Sequence, residues 1–143
     1  MPEKPFGLAV RAVVLDRQGR CLLLRRSNVC NSFVGTWEWP GGKVDAGESA
    51  DVALRREVAE ETGLKIELTG VAGAYPLEIA GRQIAVLCLE ARTIGEEEVH
   101  LSEEHSDFAW APLGELAQWE LAPALREFAA RYVTSNTLPR ETD

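Results

Sequence analysis

The run Leu8–Leu15 (LAVRAVVL) is the strongest constraint on this chain, being almost wholly apolar and rich in β-branched residues. A short run of this kind reads as a buried strand. Such a strand needs hydrogen-bonded neighbours at its edges and apolar cover on its faces. The rest of the sequence offers both. Asp16-Arg17-Gln18-Gly19 is a turn, and Cys21–Leu24 is a second strand ending in Arg25-Arg26, so the two form a hairpin. Val71–Ile79 and Gln83–Arg92 read as two more strands joined at Ala80-Gly81. Phe108-Ala109-Trp110 is a short strand closed by Pro112. Helices are expected over Ser49–Thr62, Leu113–Gln118 and Pro123–Val133. The order of strands, helix, strands, helix predicts an α/β (α+β) sandwich, with helices on the faces of a mixed sheet. It alternates too irregularly for a doubly wound parallel fold. The 143 residues fit one domain, 1–143, with a polar tail over 135–143 expected to fray.

The formal charge is −8, from 23 acidic and 15 basic residues. Such a surface repels duplex nucleic acid. A small anionic substrate stays compatible if metal ions bridge it to the acidic groups. No apolar run approaches the roughly 20 residues of a membrane span. Met1–Pro5 is polar with no apolar signal core, so a cytoplasmic location is expected. Three cysteines, Cys21, Cys30 and Cys88, with no close pair argue against a disulfide framework and a zinc site.

Ser27–Gly47 has no clear period and holds Gly35, Pro40, Gly41, Gly42 and Gly47, with Trp37 and Trp39 among them. Long irregular segments in compact domains are usually functional. This one leads directly into the clearest helix of the chain. Ser49 is the expected N-cap, Asp51 sits in the first turn, and Gly63 closes the C-terminus. On a wheel with Val52 at zero, Glu60 lies at about 80°, Glu57 at about 140° and Glu61 at about 180°. Leu54 and Val58 follow at about 200° and 240°, so Glu61 borders the buried stripe. Each like-charge pair in this arc costs a few tenths of a kcal/mol in water, and more beside a core. Arg56 offsets part of that repulsion. A divalent cation would remove it, and Mg²⁺ and Mn²⁺ favour carboxylate oxygens. Three glutamates alone describe a solvated acidic face. The glycine-rich lead-in and a fourth carboxylate, Glu48, favour a site.

The pattern Gly42-x5-Glu48-x7-Arg56-Glu57-Val58-x-Glu60-Glu61-x-Gly63-Leu64 resembles the Nudix box at every defined position, and Gly35–Gly42 resembles the lead-in usual in that family. The resemblance implies a Nudix-type α/β/α sandwich and hydrolysis of a nucleoside diphosphate linked to another group. It implies that Glu57, Glu60 and Glu61 hold Mg²⁺ or Mn²⁺, with the Gly41 carbonyl as an extra ligand. Glu48 would support the loop–helix junction or an outer metal, and Arg56 would orient a box glutamate. The general base stays open between Glu57, Glu60 and a glutamate of a later loop. The stretch Leu101–His105, with Phe108 and Trp110 after it, is similar to a Nudix segment whose glutamate approaches the metals. That makes Glu104 the later-loop candidate and His105 a structural hydrogen-bonder.

Arg26 stands where nucleotide-specific members of that family place a phosphate-binding arginine, and a plain surface charge is the competing reading. Phe33, Trp37 and Tyr75 are candidates to stack on a base, set against ordinary packing. The first substrate expectation is a nucleoside triphosphate, a (d)NTP or oxidised dGTP, giving NMP and pyrophosphate. The alternatives are a dinucleoside polyphosphate, an ADP-sugar, and a non-catalytic nucleotide sensor. The expected partner is a small nucleotide, bound by a monomer or a homodimer.

Overall fold

Alternate residues of one strand feed two separate cores. In the computed structural model, which describes residues 6–137, the strand β1 (Phe6–Leu15) sends Ala9 and Val13 to one side and Val10, Ala12 and Val14 to the other. This is the period-2 geometry of a strand buried on both faces. The remaining elements are β2 (Arg20–Arg26), β3 (Trp37–Glu38), β4 (Gly41–Lys43), α1 (Ala50–Thr62), β5 (Lys65–Ile79), β6 (Arg82–Ile94), β7 (His105–Pro112), a 3₁₀ helix (Leu113–Gln118) and α2 (Pro123–Thr137). Helix α1 covers the Val10 side with Ala53, Leu54 and Val58. Helix α2 covers the Val13 side with Leu125, Phe128, Ala129 and Tyr132. The result is the expected α/β/α sandwich on a mixed sheet.

β1 pairs in parallel with β6 along its whole length, from Phe6↔Gln83 to Leu15↔Arg92. Its other edge is shared. β4 takes Ala9–Arg11 in antiparallel register, and β2 takes Leu15. β2 splays away there to pair with β3 and, over its full length, with β7. The split opens the sheet on the side where the glycine-rich segment enters it.

Several boundaries differ from the sequence expectation. β5 starts at Lys65, because Ile66 and Leu68 alternate inward and the strand continues through two bulges at Leu68/Gly70 and Val71/Gly73. The irregular segment contains β3 and β4, each too short to carry a period. β7 begins at His105, since β2 offers it a ladder back to Arg26. The expected turn at Ala80-Gly81 is present, with φ of 51° and 79°, the paired positive values of a two-residue hairpin turn. Ser49 takes the N-cap position, but its side chain makes no capping hydrogen bond. Gly63 closes α1 in the left-handed region. α2 runs on to Thr137 and so takes in the first residues of the expected tail. The rest of the expected tail, 138–143, lies outside the described residues. All three cysteines are free.

Candidate active site

Arg56 organises the carboxylates at the start of α1. Its Nε and Nη2 donate to the two oxygens of Glu48 at 2.7 and 2.9 Å. Its Nη1 donates to Glu57 at 3.1 Å and to Glu60 at 3.4 Å. Glu48 also accepts the Asp45 N–H at 3.1 Å, so one arginine ties the glycine-rich loop to the helix. The Arg56 hydrogen bonds, with the Asp45 N–H, hold the Glu48 carboxyl down at about 2.

Two glycines of β4 make room for the box glutamates. A Cβ on Gly42 would lie 2.6 Å from the Glu57 carboxyl carbon, so that carboxylate rests directly against the glycine. Gly41 has a φ of 153°, and a Cβ there would meet the Val10 carbonyl. Its N–H donates to Glu61 Oε2 at 3.1 Å. Glu61 is only 3% exposed. Burial pushes its carboxyl up to about 8, against Arg11 and the Gly41 N–H, and Glu38 and Glu57 push the same way as burial. Burial also raises Glu57; Arg56 opposes this, and Glu60 and Glu104 add to it. Glu60 points outward, 60% exposed, with Arg56 beside it.

The loop before β7 completes the cluster. Glu61, Glu104 and His105 each place one ligand atom within 4.8 Å of the other two. Ser102 N–H donates to the Glu61 carbonyl at 3.3 Å and His100 N–H to the Thr62 carbonyl at 2.8 Å, which fasten the loop to the end of α1. The Ser27 N–H and the Cys30 thiol both donate to the Glu104 carbonyl, at 2.9 and 3.4 Å, and fasten it to the segment after β2. His105 is buried, and its Nε2 lies 2.9 Å from Glu38 Oε2.

Glu38 leads from this cluster to a cavity of about 460 Å³ between the splayed strands, the β5–β6 hairpin tip and the start of α2. Arg26, Phe33 and Tyr75 all line it, so three sequence candidates converge there. Arg26 Nη1 donates to Glu38 Oε1 at 3.0 Å and its Nε to the Ser32 carbonyl at 2.9 Å. Arg25, on the opposite side of the strand, donates to the Gly35 carbonyl instead. Phe33 is half exposed, with a left-handed φ of 54°. Trp37 does not line the cavity; its ring meets Trp119 edge-on at 4.8 Å. A wider groove of about 650 Å³ follows the outer side of the β5–β6 hairpin. Among the described residues Glu78 is the sole charged side chain lining it, so the groove is the poorer candidate for an anionic substrate.

Two residues of the cavity escaped the sequence reading. Arg11 Nη1 donates to the Trp39 carbonyl at 2.9 Å and lies 3.6 Å from Glu38 Oε2. Glu38 is buried, which raises its carboxyl, but Arg11, the His105 hydrogen bond and Arg26 outweigh burial and hold it at about 2. The available signals were an arginine inside an apolar strand run and a glutamate between two tryptophans. A charge in such a setting demands a partner.

The NUDIX domain family profile matches residues 5–132. The chain is 32% identical over 118 residues to a CTP pyrophosphohydrolase of Escherichia coli (strain K12), covering 82% of this chain and 84% of that protein. It is 30% identical over 128 residues to a nucleoside triphosphatase NudI of Escherichia fergusonii, covering 80% and 88%. A crystal structure of a MutT protein from Methanosarcina mazei Go1 superposes with a TM-score of 0.84 at 31% identity, covering 96% of this chain and all of that one.

Proposed function

Because this chain belongs to the NUDIX domain family, and so is a hydrolase of nucleoside diphosphate-linked substrates, we propose that it cleaves a nucleoside triphosphate to a nucleoside monophosphate and pyrophosphate with Mg²⁺ or Mn²⁺. The observation that carries this reading is the direct link between the carboxylate cluster and the cavity. His105 touches Glu38, which lines the cavity, and shares a cluster with Glu61 and Glu104. The nucleoside triphosphate names of two relatives support the same substrate class.

The donor set fits a divalent cation. Buried and half-buried carboxylates repel one another beside a backbone that has no side chain at Gly42, and a divalent cation would relieve that repulsion in place of the proton that the raised Glu61 carboxyl otherwise holds. Glu57, Glu60 and Glu61 are the proposed ligands, with the Gly41 carbonyl as a further donor. Bound there, the ion neutralises pyrophosphate oxygens and lowers the pKa of a water. Arg56 positions Glu57 and Glu60 through its ion pairs. Glu104 takes the proton of the attacking water. Its carboxylate has no hydrogen bond or ion pair among the described residues, whereas Arg56 engages both Glu57 and Glu60. Arg26 steadies the substrate's charge, and Phe33 and Tyr75 flank its base.

A substrate panel with product identification tests this. NMP plus pyrophosphate from an NTP is the expected result, lost in Glu60→Gln and Glu61→Gln. ATP plus AMP from diadenosine tetraphosphate, or AMP plus ribose phosphate from ADP-ribose, would replace the substrate assignment. Activity unaffected by both substitutions would remove the site.

A further inference from the structure

Arg11 occupies the centre of β1 on the face that buries Ala9 and Val13, where the strand pattern calls for an apolar side chain. Burying a guanidinium there is costly unless it is paired. Its carboxylate partner is Glu38, which Arg26 and His105 also engage. Two permanent cations outnumber that one carboxylate partner, while Glu78 adds a second carboxylate to the cavity lining.

The donors are also in excess. A guanidinium carries five N–H groups. Arg11 makes one hydrogen bond among the described residues, to the Trp39 carbonyl. Its other nitrogens are not among the buried atoms lacking a partner, so they are open to the cavity that Arg11 lines. Glu38 lines the same cavity and accepts one hydrogen bond on each oxygen, out of about four it can take. A planar donor fork and an acceptor therefore sit side by side in a cavity that Tyr75 and Phe33 also line.

We propose that Arg11, with Glu38 beside it, reads the edge of the nucleobase and selects cytosine or guanine over adenine and uracil. This rests on the nucleoside triphosphate reading above and narrows its base. An arginine fork needs two adjacent acceptors. Cytosine presents N3 and O2 side by side, with its N4 amine next to them as a donor to a carboxylate. Guanine offers an adjacent O6 and N7, with its N1–H as the donor beside them. Adenine and uracil have no two adjacent acceptors on one edge.

The test measures kcat/KM for CTP, GTP, ATP and UTP, and titrates the four monophosphates, with the parent, Arg11→Met and Arg11→Lys. A bidentate base contact is worth about ten- to a hundredfold in discrimination. The parent is expected to favour CTP or GTP over ATP and UTP by that factor, and CMP or GMP over AMP and UMP likewise. Arg11→Met should bring the ratio of the favoured triphosphate to ATP close to one. Arg11→Lys should do the same, since it keeps the charge and loses the fork. Full preference retained by Arg11→Lys would make Arg11 a point charge for phosphate and overturn the proposal. So would a parent that prefers ATP or UTP, or an equal loss on all four nucleotides. If Arg11→Met fails to fold, Arg11→Lys decides, and if neither folds, the parent's own preference does. Should no triphosphate be hydrolysed at all, the hydrolysis reading fails, while the monophosphate titration still decides the base.

Discussion

The carboxylate cluster and the cavity are adjacent, yet the chain builds them in opposite ways. Most of the cluster is local: Glu57, Glu60 and Glu61 share one arc of α1, and Arg56 binds the first two to a loop eight residues earlier through Glu48. The cavity gathers Arg11, Arg26, Glu38 and Tyr75 from four strands. The cluster is held by backbone spacing and ranges from buried Glu61 to exposed Glu60, and each of its carboxylates has an amide of the same shape, so its groups can be exchanged with modest cost to the fold. The cavity floor is a buried ionic network, where removing one partner strands the others. The cluster should therefore answer mutation mainly in activity, and the cavity floor in stability as well.

The sharpest break of that contrast is Glu61→Gln. Losing one charge-stabilising group at a reacting centre costs about two to three orders of magnitude in kcat. A drop of that size is expected with the melting temperature held or raised, because an amide is easier to bury than a carboxylate carrying a pKa near 8. A large loss of stability in calorimetry would erase the distinction between the regions.

Glu38→Gln is the converse. It should cost roughly 3 kcal/mol in denaturant unfolding, the scale of breaking a buried pair. The sign with pH follows from the depressed carboxyl. Held at about 2 against an ordinary 4.5, Glu38 contributes stability that is complete above pH 4.5 and lost as pH falls from there towards 2. The parent should lose roughly 3 kcal/mol from this group across that window, and Glu38→Gln should lose that much less. Equal acid sensitivity would mean that Glu38 is not held by Arg11 and Arg26.

Metal separates the two regions more gently. Mn²⁺ at about a hundred times its dissociation constant adds roughly 2.7 kcal/mol, which raises the melting temperature of a domain this size by about 5–10 °C. That rise should vanish with EDTA or Glu61→Gln and persist in Arg11→Lys. The smallest effect is expected for Arg56→Lys. Replacing a fork that orients two glutamates should lower kcat by about ten- to a hundredfold, the usual cost of losing an orienting group around a metal. An unchanged kcat would leave Arg56 as a loop fastener alone.

The same contrast explains what the sequence disclosed. α1, its closing Gly63 and the convergence of its glutamates follow from a 3.6-residue period, which needs no knowledge of the rest of the chain. β1 and β2 were legible from apolar runs, and the hairpin turn from Ala80-Gly81. β3 and β4 were not, because two or three residues carry no period and depend on the splayed edge of β2 and β1 for their ladders. Arg26, Phe33 and Tyr75 were named singly, but nothing in their spacing said that they meet. Arg11 and Glu38 were passed over because each looked local, and their meaning lies in a contact between β1 and β3.

The parallel pairing of β1 with β6 has a consequence for how the chain reaches its structure. Leu8 finds its ladder partner only at Ala85, so the first strand synthesised waits for most of the domain before that edge is covered. Non-local parallel pairing of this kind slows folding, and an apolar strand with an open edge invites pairing with other chains meanwhile. Chains ending before β6 should aggregate rather than form a smaller native domain, and the full chain should fold faster when the β5–β6 hairpin is stabilised at its turn than when α1 is stabilised.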